Sequence, residues 1–235
     1  MTENKLDHSQ NHNTLRERVG ESLLNNKISI LGAILVVLFI AQILKFTFPD
    51  LLFWGIPLAL LAIWLISWLK KVGWSDLGLS RPESWSKTIK MALLAMLIVQ
   101  IVGTLQFFLS KKPQDLSSYQ EAMTPWRLLR FIVIAWTTAG FGEEVIWRGF
   151  FMKQIARLFG EQKSSSWVIG IVLSSIGFGL AHFHQGLGGM LGAGFIGLVY
   201  GIFYLRSGRN LWETIIAHGL TGTFTFILLY LSQLQ

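Results

Sequence analysis

The chain has 235 residues, 52% hydrophobic and 14% charged, with a mean hydropathy of +0.50. A soluble domain carries roughly a quarter charged residues, so this composition belongs in lipid. The absence of cysteine excludes disulfides, thiolate metal sites and a cysteine nucleophile, and the length suits a single membrane domain. The net charge of +7 does not imply a nucleic-acid partner, because the basic residues sit at the ends of apolar runs and no Walker-type glycine loop is present.

Residues 1–27 form a polar tail rich in Asn, Glu and Arg, expected to be disordered and to leave His8 and His12 solvated. The uncharged run Ile28–Leu44 is too long for a signal-peptide core and lacks a small-residue cleavage site, so it reads as a retained anchor. A helix needs about 20 apolar residues to cross the hydrocarbon core. Stretches near that length recur at Leu51–Leu69, Met91–Ser110, Ser164–Ala181, Phe183–Leu205 and Thr214–Gln235. A further helix is expected from Pro125 to about Leu158, with Thr124 as N-cap and Pro125 at the first helical position. The fold expected is an all-α, polytopic transmembrane bundle of about seven spans over residues 28–235.

With the tail inside, fourteen Lys and Arg residues fall on the inner side and five on the outer, which favours a cytoplasmic amino terminus. Val72–Trp85, with tryptophans near both ends, is expected at the membrane surface. Gly189, Gly192, Gly197 and Gly201 read as small residues for close helix packing. Asn210 and Glu213 have the spacing of a capping box opening the last helix.

An ionisable residue within a span is costly and is by default a functional candidate. The Pro125 helix carries Glu143, Glu144 and Arg148, the next span ends in His182 with His184 just beyond, and the last span carries His218. Glu144 and Arg148 are four apart with the acid first, a favourable pair on one face. Glu143 is turned about 100° from Glu144 by the 3.6-residue period, so Arg148 is expected to neutralise Glu144 while Glu143 faces the histidines as the working group. Phe178, four before His182, walls its ring; His184 points to the opposite side. Structural duty is the competing account, since a lone His can pack against a carbonyl and a Glu–Arg pair can be a clamp. Five such groups on three helices favour function.

A carboxylate and two imidazoles suit activation of water, with a histidine donating to the oxygen that becomes negative when an amide is attacked. No serine stands in a nucleophile turn. Zinc is left open, with Glu143, His182 and His218 as the ligand set if it binds, although the soluble metalloprotease motif is missing; no obligatory cofactor is expected.

Glu143-Glu144-x-x-x-Arg148, Phe178-x-x-x-His182 and His218 resemble, in order and helix placement, the three motifs of the CAAX prenyl endopeptidases, a membrane family that includes bacteriocin-processing and immunity proteins and is often called the Abi family. The flanking Phe-Gly-Glu-Glu, Ala-His-Phe-His-Gln-Gly and Ala-His-Gly-Leu segments are similar too, and the resemblance covers about residues 70–230. It implies an intramembrane endopeptidase in which Glu143 activates water with His182 and His218 helps hold the oxyanion. Its implied partners are the bilayer and a peptide or protein substrate at the membrane, with no nucleic acid and the oligomeric state open; a bacterial inner membrane is the expected location. Four residues after the last-span histidine the family usually has Asn or Asp, whereas this chain has Gly222; Thr221 or Thr223 could take over. That departure keeps a second reading in play, a catalytically weak member acting as a membrane-embedded regulator or bacteriocin-immunity protein. A proton-coupled transporter is a third, without the internal repeat it would need.

Overall fold

In a computed structural model, the structure describes residues 14–47, 55–109 and 124–233. The described residues are helical, without a β-strand. In chain order the helices are α1 (Leu15–Asn25), α2 (Lys27–Thr47), α3 (Gly55–Leu69), α4 (Trp85–Leu109), α5 (Pro125–Ile134), α6 (Lys153–Phe159), α7 (Ser164–Leu180), α8 (Gly186–Arg206) and α9 (Trp212–Ser232). Between α5 and α6 the rod continues unbroken through two π-helical segments, Ala135–Glu143 and Val145–Met152. The Pro125 helix therefore forms over its expected length, and Thr124 Oγ1 caps it by accepting from Arg127 N at 3.2 Å. The π winding was not foreseen.

Three helices are long and apolar enough to cross a membrane: Trp85–Gln106, Phe183–Arg206 and Trp212–Ser232. Leu15–Asn25 and Lys27–Gln42, meeting at 90°, pass the same test only as a bent pair. Gly55–Leu69 and Ser164–Leu180 are apolar but shorter, so among the described residues three or four spans are found by length and composition, and about seven are not confirmed. α7 stops at Leu180, where the amides of Ala181 and His182 close on Gly177 and Gly179 carbonyls. The α5–α6 rod is continuous but carries Glu143, Glu144 and Arg148 within it. Outward faces are nonetheless rich in apolar side chains, among them Leu35, Leu97, Ile176, Leu191 and Leu228, each at least half exposed; such a belt is costly in water and at home in lipid.

The tail expected to stay disordered is instead helical from Leu15 to Asn25. Thr14 and Glu17 form a capping box, with Glu17 N donating to Thr14 Oγ1 at 3.3 Å and Thr14 N to Glu17 Oε2 at 2.8 Å. The helix is held by the end of α3: Arg16 Nη2 donates to the Trp68 carbonyl at 2.6 Å, its guanidinium lies 4.1 Å from the Trp68 ring, and Gly20 seats against the Leu69 carbonyl. Composition alone misses this, because the partners lie some fifty residues away. His8 and His12 fall outside the described residues.

Within the segment expected at the membrane surface, Trp74–Leu77 forms a 3-10 turn. Leu77 is buried, and Lys153 Nζ reaches Asp76 Oδ1 at 2.6 Å, with Arg157 Nη2 3.4 Å from Asp76 Oδ2. Burial pushes the Asp76 carboxyl up, but Lys153 and Arg157 outweigh it and hold it below its ordinary range. Burial pushes the neighbouring Lys70 ammonium down to about 7, and it donates to Gln154 Oε1 at 3.2 Å.

α7 and α8 pack closely because Gly197 admits the Ser175 backbone and Gly201 admits Ile171, the role expected of those glycines. The capping box expected at Asn210–Glu213 does not form. Asn210 Oδ1 accepts from Trp212 N at 3.0 Å, but Glu213 does not reach back: it is buried and its Oε1 has no hydrogen-bond partner.

Candidate active site

The three motif helices meet at one buried chain of charges. Glu144 is fully buried and Arg148 is 1% exposed. Arg148 Nη1 donates to Glu144 Oε1 at 2.7 Å, as the i,i+4 spacing predicts. Arg148 Nη2 donates to the Gly197 carbonyl at 3.3 Å, and the guanidinium lies 4.9 Å from the Phe178 ring and 5.5 Å from that of Tyr200. One cation is thus wrapped by a carboxylate, a carbonyl of α8 and two aromatic faces.

His218 Nδ1 lies 2.8 Å from the same Glu144 oxygen. A ring nitrogen facing a carboxylate carries the proton, so His218 is oriented with Nε2 pointing away from Glu144. Glycines bring α9 this close: a side chain at Gly140 would meet the Ile215 carbonyl at 3.0 Å, and one at Gly219 the Trp136 ring at 2.7 Å. The sequence reading placed Glu143 toward the histidines. The structure instead gives His218 to Glu144, and Glu143 is partly buried with no hydrogen bond or ion pair among the described residues. The 3.6-residue period used for that reading does not hold through the π-helical stretch, where i→i+5 bonding widens each turn.

His182 Nδ1 donates to the Phe178 carbonyl at 2.8 Å, and the two rings stand 4.7 Å apart, so Phe178 walls the histidine as expected. His184 is exposed and its ring centroid is 6.1 Å from that of His182; it does not line the cavity described next. That cavity, of about 290 Å3, is lined by His182, His218, Gln100, Gln106, Gln185 and Thr221 among others, and its wall is completed by Phe178. Neither glutamate is part of the lining.

Gln100 and Gln106 were missed by the sequence reading, which treated α4 as a plain apolar span. Their spacing with Gly103 marks a polar stripe on one face. Tyr200 was missed as well: its hydroxyl pairs with Thr221 Oγ1 at 2.8 Å and its ring centroid is 5.3 Å from that of His218.

Of the two threonines considered as replacements for an amide at position 222, Thr221 lines the cavity. Thr223 is engaged elsewhere, accepting from Trp136 Nε1 at 3.0 Å and donating to the Gly219 carbonyl at 2.8 Å. Gly222 faces Ala135, and a Cβ there would come within 2.8 Å of the Ala135 Cβ. Restoring the usual residue with Gly222→Asn is therefore expected to destabilise the protein by about 1–3 kcal/mol rather than improve it; thermal unfolding in detergent measures this.

Among the described residues no three His, Asp or Glu side chains converge as a metal ligand set. The conditional zinc set Glu143, His182 and His218 is not assembled, and the residues present do not fit the ion.

The cavity has a definite end. Ser80 and Gly78 carbonyls accept from Asn210 Nδ2 and Leu211 N, which ties the start of α4 to the α8–α9 turn. At the opposite end Gln106 Nε2 donates to the Gly188 carbonyl at 2.7 Å. The lining comes from the second half of α4 and the first half of α8. The cavity therefore lies toward the end of the bundle away from the basic cluster of Lys70, Lys153 and Arg157.

Fold and site together define a helical membrane protein whose protonatable groups gather beneath an internal polar cavity. Residues 125–224 match the family model described as Rce1-like, Type II CAAX prenyl endopeptidase Rce1-like. That match supports the resemblance read from the motifs, a likeness to a family of membrane-embedded proteases. The match includes Glu143, Glu144, Arg148, His182, His218 and Gly222, and excludes the α4 wall of the cavity. No curated protein and no solved structure matches the chain.

Proposed function

We propose that the protein is an intramembrane endopeptidase that hydrolyses a peptide bond in a membrane-associated peptide or protein, with Glu143 as general base. The observation that carries this reading is the division between the two adjacent glutamates. Glu144 is committed to Arg148 and His218, whereas Glu143 is partly exposed and bonds to none of the described residues. A free carboxylate can take a proton from water; a doubly bonded one is an anchor. In the reaction Glu143 turns toward the cavity and shares the attacking water with His182, whose ring is fixed by its bond to Phe178. His218, held at Nδ1 by Glu144, donates from Nε2 to the developing oxyanion as the imidazolium. Cleavage of quenched membrane-associated peptides by the purified protein, with and without chelator, tests the reading. Chelator-insensitive cleavage supports it.

A second reading, a catalytically weak regulator or immunity protein, is favoured by one observation: Gly222 packs on Ala135 and offers no amide. Failure of the wild type to cleave any peptide favours it.

We also propose a bacterial inner-membrane location with the amino terminus cytoplasmic, from the excess of basic residues at the α1 end. The cavity then faces the opposite leaflet, so substrate enters from outside. Because the chain lacks cysteine, single-cysteine labelling reports this cleanly. Trp126→Cys is expected to react with an impermeant maleimide on intact cells and Glu83→Cys only after lysis; the reverse pattern inverts the orientation.

A further inference from the structure

A second polar cavity, of about 420 Å3, lies where the segment before α4 meets the α8–α9 turn. It sits at the ends of the three helices long enough to span a membrane: α4 and α9 begin there and α8 ends there. Trp85 and Trp212 mark the same level, with ring centroids 5.8 Å apart, as tryptophans do at the boundary between acyl chains and headgroups. The cavity is thus at headgroup depth.

Its lining holds Arg81, Lys87 and Arg206, none of them in an ion pair among the described residues, together with Glu83 and Glu213. Three cations outnumber the two carboxylates. Glu213 is 4% exposed, and its Oε1 is buried without a hydrogen-bond donor. A place in the first turn of α9 accounts for an acidic residue, but not for a carboxylate oxygen left unpartnered beside a polar cavity. Such an oxygen costs free energy unless a donor reaches it.

We propose that this cavity binds the headgroup of an anionic phospholipid of the phosphoglycerol type. The phosphate lies among Arg81, Lys87 and Arg206, and a glycerol hydroxyl donates to Glu213 Oε1. The negative charge of the headgroup matches the excess of cations in the cavity, and its hydroxyls supply the missing donor. A zwitterionic headgroup would leave that excess unmatched. Basic pockets between membrane helices at the cytoplasmic surface are suited to anionic headgroups for the same electrostatic reason.

The test uses delipidated full-length protein in neutral detergent, supplied with phosphatidylglycerol, phosphatidylethanolamine or phosphatidylcholine, and reads retained lipid by native mass spectrometry and the unfolding midpoint. Phosphatidylglycerol is expected to be retained and to raise the midpoint, and the other two to do neither. An Arg81→Ala/Lys87→Ala/Arg206→Ala variant is expected to bind about tenfold less or weaker, while Glu213→Gln lowers the preference for phosphatidylglycerol. The three cations are side chains at the surface, and the lipid-free midpoint of each variant verifies that it is folded; Arg206→Gln alone serves if the triple variant is not. A Lys90→Ala/Lys163→Ala control, outside the cavity, is expected to bind as wild type. Equal retention of all three lipids, equal loss in the control, or equal stabilisation by soluble glycerol phosphate would overturn the proposal.

Discussion

Glu143→Ala is expected to lower peptide cleavage by about 10²–10⁴-fold while leaving the unfolding midpoint almost unchanged. The two halves of that expectation come from one observation. Glu143 bonds to none of the described residues, so truncating it removes no native contact, and a surface-like change of this kind stays within about 0.5 kcal/mol. In its proposed role as the base for water it differs from Glu144, whose carboxylate is buried and bonded to Arg148 and His218. The measurement is kcat/KM on a cleaved peptide alongside thermal unfolding of the same preparation. Wild-type cleavage by Glu143→Ala would move the base to the Glu144–His218 pair, in which the carboxylate orients the imidazole and His218 Nε2 takes the proton.

Glu144→Ala is expected to act in the opposite sense, as a stability change first. Arg148 is 1% exposed, and Glu144 is its only carboxylate partner among the described residues. Breaking a buried pair by removing one member leaves an uncompensated charge and costs about 3–5 kcal/mol. The Gly197 carbonyl and the faces of Phe178 and Tyr200 remain to Arg148, so the cost should sit toward the lower end. His218 loses its acceptor in the same stroke, and any cleavage left in a folded fraction should fall as well. Glu144→Gln keeps the shape and one acceptor oxygen, so its midpoint should lie between wild type and Glu144→Ala. A loss below about 1 kcal/mol in the alanine variant would show that carbonyl and aromatic contacts alone can hold the arginine.

Taken together, these two variants separate the adjacent glutamates by what each loses. One should lose activity with the fold intact, the other should lose the fold. The same outcome in both would remove the division of labour on which the mechanism rests.

Much of the site was legible because membrane burial makes charge conspicuous. Glu143, Glu144, Arg148, His182 and His218 stand out as ionisable groups in apolar surroundings, and the i,i+4 rule placed Arg148 on Glu144 and Phe178 on His182. The cavity wall from α4 was harder to see, because Gln100 and Gln106 are uncharged and their stripe is weak against the apolar residues that fill most of the helix. Tyr200 gave no signal beyond being an aromatic residue in an apolar helix.

By itself, the sequence determined that the chain is helical, that it belongs in lipid, and which ionisable residues stand out in apolar surroundings, since composition and local spacing are properties of neighbours along the chain. Which histidine meets which glutamate was decided only by the tertiary structure. The π-helical winding shifts the faces of Glu143 and Glu144, and the close approach of α9 at Gly140 and Gly219 delivers His218 to Glu144. The docking of α1 on Trp68, the unclosed cap at Glu213 and the seat of Gly222 against Ala135 are of the same kind. Each depends on a partner tens of residues away, and no local rule of spacing or composition carries that information.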